Sequence, residues 1–222
     1  MPARRLVTLL YPGFELLDVY GPLEMFGMVK PELELVTVAA QAGAIASFQG
    51  PRSLADYGFD DCPAADLLLV PGGIGTVPAL ADQATLEFLR RQAASAERVM
   101  SVCSGSALLA RAGLLDGLRA TSNKVWFDLA ARQGERVHWV SEARWVEDGR
   151  FATSSGVSAG IDMALAVIAG MFGEQRAQSL ADLAEYAWHR DASSDPFVRF
   201  LNTGDSEALH HAFATLPAGE FG

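Results

Sequence analysis

Four short, almost uninterrupted apolar runs punctuate the first half of the chain, at residues 6–11, 33–39, 66–71 and 98–103. A strand with one wet face alternates apolar and polar side chains. Runs of about five to eight residues without alternation belong to strands covered on both faces, as in a parallel sheet. Between the runs the period changes: Leu23, Phe26 and Val29 recur at helical spacing within 17–29, as do Leu86 and Leu89 within 84–96. This alternation of strand and helix predicts an α/β sandwich with a mainly parallel central sheet.

The second half continues the pattern. Residues 106–115 are rich in Ala and Leu and read as a helix loosened at its end by Gly113 and Gly117. A short strand is expected at 119–122 and a helix at 125–133. Residues 143–154 hold Asp148-Gly149 between two β-like runs, a hairpin signal. The loop 154–160 opens an apolar helix at 161–172, a further helix is expected over 174–188, and the chain is less regular beyond Asp195. The 222 residues suit one domain, 1–222, with a core at 4–190 and a C-terminal extension at 191–222.

Charge and segment length exclude several function classes. With 27 acidic against 17 basic residues the formal charge is −10, and Lys and Arg cluster no further than pairs. Nucleic acid and anionic membranes need a concentrated basic face and are not expected partners. The apolar run 6–11 ends in Pro-Gly and is shorter than the roughly 7 residues a secretory core requires. The longest apolar segment, 163–172, is far below the roughly 18 residues of a membrane span. A soluble, cytoplasmic protein is expected. Cys62 and Cys103 sit in unlike contexts, which points to neither a disulfide nor a metal cage.

Chemistry is concentrated at strand-to-helix turns. The stretch VCSGSALLA, 102–110, places Cys103 between a buried strand and a helix start. Unpaired N–H groups and the helix dipole there favour a thiolate at a nucleophile elbow. The same position also suits a small inert core residue. Pro71-Gly72-Gly73-Ile74-Gly75-Thr76 follows the third strand, where backbone amides form either an oxyanion hole or only a tight turn. It contains neither GxGxxG nor a Walker lysine, so a phosphate cradle fits poorly. Asp18 is either a helix cap or a buried acid with a raised pKa, able to serve as general acid or base. No histidine adjoins Cys103; His138, His189, His210 and His211 read as surface or structural, Cys62 as inert, and the four tryptophans as core or interface.

Four ordered motifs, LLYPGFELLDVYGPLEMF (9–26), DLLLVPGGIGT (66–76), VMSVCSGSALLARAGLLDGLRATS (99–122) and FATSSGVSAGIDMALAVI (151–168), resemble the ThiJ/PfpI superfamily, which is class I glutamine amidotransferase-like. Within it they are most similar to the isonitrile hydratase branch. The resemblance implies a flavodoxin-like three-layer fold, a homodimer, a small-molecule substrate and no metal or cofactor. It assigns Cys103 as nucleophile, Asp18 as the acid contacting it, and Gly72, Gly73 and Ser104 as an oxyanion-binding pocket. Asn123 and Gly156 fall on the pocket wall. The implied reaction adds water to an isonitrile to give an N-substituted formamide. Glyoxalase-like or deglycase-like chemistry on reactive carbonyls, and redox sensing through Cys103, are the alternatives. Ser104 stands where peptidase-like relatives have histidine, which argues against proteolysis, and where hydratases commonly have threonine. Asn123 stands where histidine is usual. The C-terminal extension is expected to cap the pocket or pack on a partner.

Overall fold

The computed structural model describes residues 3–204. The chain runs β1 (Arg4–Leu9), α1 (Leu16–Gly27), β2 (Leu33–Val38), β3 (Gly43–Ala46), β4 (Arg52–Ala55), β5 (Leu67–Val70), α2 (Thr76–Ala79), α3 (Gln83–Ser95) and β6 (Arg98–Ser101). It continues through α4 (Gly105–Arg111), β7 (Arg119–Ala120), α5 (Phe127–Ala131), β8 (His138–Trp139), β9 (Trp145–Asp148), β10 (Phe151–Ser154), α6 (Ala159–Phe172) and α7 (Glu174–Leu183). Six strands form the central sheet in the order β2, β1, β5, β6, β10, β9, all neighbours parallel except β9 with β10.

The uninterrupted apolar runs are explained by what lies on each face. In β5, Leu67 and Leu69 enter one core with Met25, Phe26, Met163 and Ile168 from α1 and α6. Leu68 and Val70 enter the other with Leu86 and Leu89 of α3 and Leu108 of α4. Successive side chains of a strand point to opposite faces, so a strand between two helical layers must be apolar at every position.

Strand order then decides where the site falls. From β1 the chain moves outward to β2 and afterwards returns to the other side of β1 for β5, β6 and β10. Such a reversal opens a crevice at the carboxyl ends of the central strands. The loops after β5, β6 and β10 leave that edge carrying Gly72, Cys103 and Gly156, and the loop after β1 leads into the first turn of α1, which holds Asp18.

The expected hairpin at 143–154 is β9–β10, with Phe151 paired to Asp148 and Gly149 at φ 58° in the turn. Other elements differ from expectation. The strand expected at 119–122 is only β7, paired with β8 outside the central sheet. The helix expected over 174–188 stops at Leu183: Glu185 takes φ 50°. That turn sends Tyr186 and Trp188 back to Asp162. The hairpin β3–β4 lies outside the central sheet and is only partly buried, with Ser53 and Ala55 turned inward, so it carries no apolar run. No helix among the described residues is long and apolar enough to cross a membrane. His210, His211 and the rest of the expected extension beyond residue 204 lie outside the described residues.

Candidate active site

The strand expected to reach Cys103 ends at Ser101, and Cys103 itself takes φ 56°. A non-glycine residue pays about 1–2 kcal/mol for this left-handed conformation, so its surroundings must enforce it. Four hydrogen bonds do so. Val102 N donates to Val70 O at 3.0 Å and Cys103 N to Ser155 O at 3.1 Å. The Cys103 carbonyl accepts from Ser106 Oγ at 3.2 Å and Ser122 Oγ at 3.0 Å. The chain passes so close to the loop after β5 that a Cβ on Gly72 would lie 2.5 Å from Ser104 N, 2.6 Å from Ser104 Oγ and 2.9 Å from Cys103 Cβ. Only glycine fits there.

Asp18 approaches from α1. The helix cap is Glu15, whose side chain makes no capping bond, so the capping role considered for Asp18 does not hold. Asp18 sits fully buried in the first turn, where its Oδ2 accepts from Gly72 N at 2.8 Å. Its Oδ1 has no partner within hydrogen-bond geometry among the described residues. Burial raises the Asp18 pKa well above the carboxylate range; the Gly72 N–H lowers it, the Glu15 charge raises it, and the nearby Cys103 thiol lowers it. Burial therefore favours the protonated form of this acid, and the oxygen left without a partner is Oδ1.

The thiol departs from the expectation of a thiolate. Burial raises the Cys103 pKa and the Asp18 charge raises it further; hydrogen bonds from Ser104 N–H and the Asn123 side chain pull the other way without overcoming burial. A helix of seven residues has a weak dipole to set against desolvation. Burial thus favours the protonated form at both groups.

The remaining pocket residues converge on the same place. The Asn123 side chain lies close enough to Cys103 to lower its pKa, and its Oδ1 accepts from Trp126 N at 3.0 Å. A Cβ on Gly156 would overlap Asn123 Nδ2, so this glycine makes room for the amide. The amides expected to form an oxyanion hole are engaged inside the protein: Gly72 N with Asp18, and Gly73 N with Ser104 Oγ at 3.1 Å. Only the Ser104 N–H already points at the sulfur. All seven sequence-predicted residues meet here. His138 lies in β8, and the backbone N–H of His189 bonds Asp162.

The DJ-1/PfpI family model matches residues 4–170. The chain belongs to the DJ-1/PfpI family. It is similar to isonitrile hydratase of Pseudomonas putida, 37% identical over 179 residues covering 81% of this chain and 77% of the relative. It is also similar to a deglycase of Thermococcus kodakarensis, 30% identical over 64% of this chain and 84% of that protein. Among solved structures, a ThiJ/PfpI family protein from Pseudomonas syringae superposes with a TM-score of 0.77 at 32% identity, covering 100% of this chain and 88% of that one.

Two features of this DJ-1/PfpI chain escaped the sequence reading. Tyr11, at the end of an apolar run, looks like core, yet its hydroxyl donates to Pro71 O at 2.6 Å and contacts Thr76 Oγ1 at 3.0 Å. The second is a buried ionic cluster behind Asn123. Arg144 bonds Asp162 Oδ2 through Nε at 2.7 Å and Nη2 at 2.6 Å, while Tyr186 OH and His189 N donate to Asp162 Oδ1 at 3.0 and 2.9 Å. Lys124 Nζ donates to Ala143 O at 2.6 Å and Thr121 Oγ1 at 2.9 Å, and lies 3.9 Å from Asp195 Oδ2. Burial lowers the Lys124 pKa to about 8, with Asp195 and Glu142 opposing and Arg144 assisting. Beyond Asp195 the chain returns to the loop that carries Asn123: Asn202 N donates to Lys124 O at 2.9 Å and Gly204 N to Val125 O at 3.0 Å. These long-range pairings leave no local sequence signal. Among the described residues, no group of three or more His, Cys, Asp and Glu is placed to hold a metal ion.

Proposed function

We propose that this protein is an isonitrile hydratase that uses Cys103 and Asp18 to convert isonitriles to N-substituted formamides without a cofactor. The observation that carries this reading is the free Oδ1 of Asp18: a buried acid with its pKa raised, one oxygen held by Gly72 and the other unpartnered near the Cys103 thiol. An isonitrile carbon must gain both a proton and a nucleophile at one atom, which an adjacent acid and thiol supply.

The Cys103 sulfur attacks the terminal carbon as Asp18 delivers its proton to that carbon, and the thiol proton passes to the Asp18 carboxylate. The product is a thioimidate, RN=CH–S–Cys. Water then adds to the same carbon, Asp18 relays a proton to nitrogen, and the C–S bond breaks with the proton returned to sulfur. The sum is RNC plus water giving RNH–CHO with the thiol restored. Ser104 N–H and the Asn123 amide stabilise charge on sulfur as it leaves. A homodimer, implied by the resemblance, and a cytoplasmic location, expected from the lengths of the apolar segments, belong to this reading.

The test incubates purified protein with cyclohexyl isonitrile and follows formamide, with Cys103→Ser as control. Formamide well above that control is expected. None above it removes the reading for simple isonitriles, and methylglyoxal consumption under the same control would then favour the carbonyl chemistry suggested by similarity to the deglycase.

A further inference from the structure

Four hydroxyl and amide groups beside Cys103 form a chain whose donor directions follow from counting hydrogens. Tyr11 has one hydroxyl proton, and it is committed to the Pro71 carbonyl, an acceptor only, at 2.6 Å. The 3.0 Å contact between Tyr11 and Thr76 therefore requires Thr76 Oγ1 to donate. With its only proton spent, Thr76 must accept across its 2.9 Å contact with Ser104 Oγ. Ser104 thus donates to Thr76 and accepts from Gly73 N at 3.1 Å. The alternative acceptor for the Ser104 proton, Gly73 O, is more distant at 3.4 Å, and its use would leave two lone pairs facing each other at 2.9 Å. One consistent direction remains: Gly73 N–H to Ser104, Ser104 to Thr76, Thr76 to Tyr11, Tyr11 to Pro71 O. Aligned chains of this kind polarise one another and hold their members rigidly.

We infer that Tyr11 and Thr76 are positioning residues that fix the Ser104 hydroxyl, its proton on Thr76 and its lone pair on the Gly73 amide, and thereby hold the backbone of Gly73 and Ser104 in place beside Cys103. The inference deepens the reading of the Cys103 site given above and rests on it. Thr76, Tyr11 and Ser104 are all buried, so water does not substitute for a missing link. Without the tyrosine hydroxyl, the Thr76 proton loses its acceptor and turns to Ser104. The Ser104 proton is then released toward Gly73 O, its other acceptor at 3.4 Å, and the direction of the hydroxyl that receives the Gly73 amide is no longer fixed.

The experiment is a double-mutant cycle of Tyr11→Phe and Ser104→Ala, read two ways. In formamide turnover, Tyr11→Phe lowers kcat roughly three- to tenfold with KM within about twofold, the size expected for one misdirected hydrogen bond. Thr76→Val lowers it similarly, whereas Thr76→Ser, which keeps the hydroxyl, restores it. In the Ser104→Ala background, Tyr11→Phe has no further effect, because the group it acts through is gone. The second readout is the rate of Cys103 alkylation by iodoacetamide, which needs no isonitrile chemistry. There Tyr11→Phe changes the rate at least about twofold, as the backbone of Gly73 and Ser104 beside Cys103 loosens, and the change disappears in Ser104→Ala. Additive effects in the alkylation cycle, or Thr76→Ser behaving like Thr76→Val, overturn the inference. If wild-type protein forms no formamide, the hydratase reading fails while the alkylation cycle still decides this one.

Discussion

Asp18 and Asp162 are both fully buried and both stand in the first turn of a helix, but their surroundings are opposite. Asp162 receives four donors, two of them from the Arg144 guanidinium. Asp18 receives one, from the Gly72 amide, and has no cation to balance it. Burying a carboxylate is costly unless it is paired, so the first acid is held by its partners and the second escapes the cost by keeping its proton. Saturated with donors, Asp162 has nothing left to exchange and joins α6 to the chain returning from α7. Asp18 retains a proton with no internal acceptor, next to a thiol. The difference separates a buried acid that holds the fold from one equipped for chemistry.

The largest effect expected from breaking this contrast is on stability. Asp162→Ala leaves the buried Arg144 guanidinium without its bidentate partner, keeping the longer 3.9 Å pairing with Asp195, and should cost about 3–5 kcal/mol in urea unfolding. The fraction still folded should alkylate Cys103 at the wild-type rate. A loss below about 1 kcal/mol would show that the cluster is not a structural tie.

Asp18→Asn should do the reverse. Asparagine can still accept from Gly72 N–H but carries no proton to deliver, so kcat for formamide falls roughly 10²-fold or more, while Cys103 remains open to iodoacetamide. Stability should rise. The folded protein holds the Asp18 proton at pH values where the unfolded chain has released it, so the folded state binds more protons and wild-type stability declines as pH rises above the ordinary carboxylate value of 3.8. The variant lacks that penalty: it should melt above wild type at pH 7, with the gap closing toward pH 4. Undiminished turnover, or a variant less stable at pH 7, would return Asp18 to a structural role.

A smaller effect sharpens the other side. Folded Lys124 loses its proton near pH 8, whereas in the unfolded chain it does so near 10.5. Between these values the unfolded state binds more protons, and the lysine contributes a stability that rises with pH. The stability of wild type relative to Lys124→Met should therefore increase from pH 8 to pH 10, on the order of 2 kcal/mol. A flat difference would mean that the ion pair with Asp195 restores the full affinity of Lys124 for its proton.

Much of the site was legible because its signals are local. Cys103 between an apolar run and an Ala-rich helix marked a sharp turn, and the observed φ of 56° is that turn. Gly72 and Gly73 marked a place of close backbone approach, which the 2.5 Å separation of a Gly72 Cβ from Ser104 N makes obligatory. The protonation states were not legible. A helix start predicts a thiolate, but desolvation depends on how many layers cover the sulfur, and that is a property of the assembled fold. Tyr11 was hidden for a related reason: in a buried run a tyrosine and a phenylalanine serve the period equally, and only the proximity of Pro71 and Thr76 gives the hydroxyl a task.

By itself, then, the sequence determined the layers and the turns, since apolar period and glycine placement act over a few residues and need no knowledge of distant chain. The tertiary structure alone decided strand order, and with it the meeting of Asp18 with Gly72 across 54 positions and of Ser104 with Gly73 across 31. It also decided that the pKa values of the acid and the thiol are both raised, because the energy of a buried charge is set by everything packed around it.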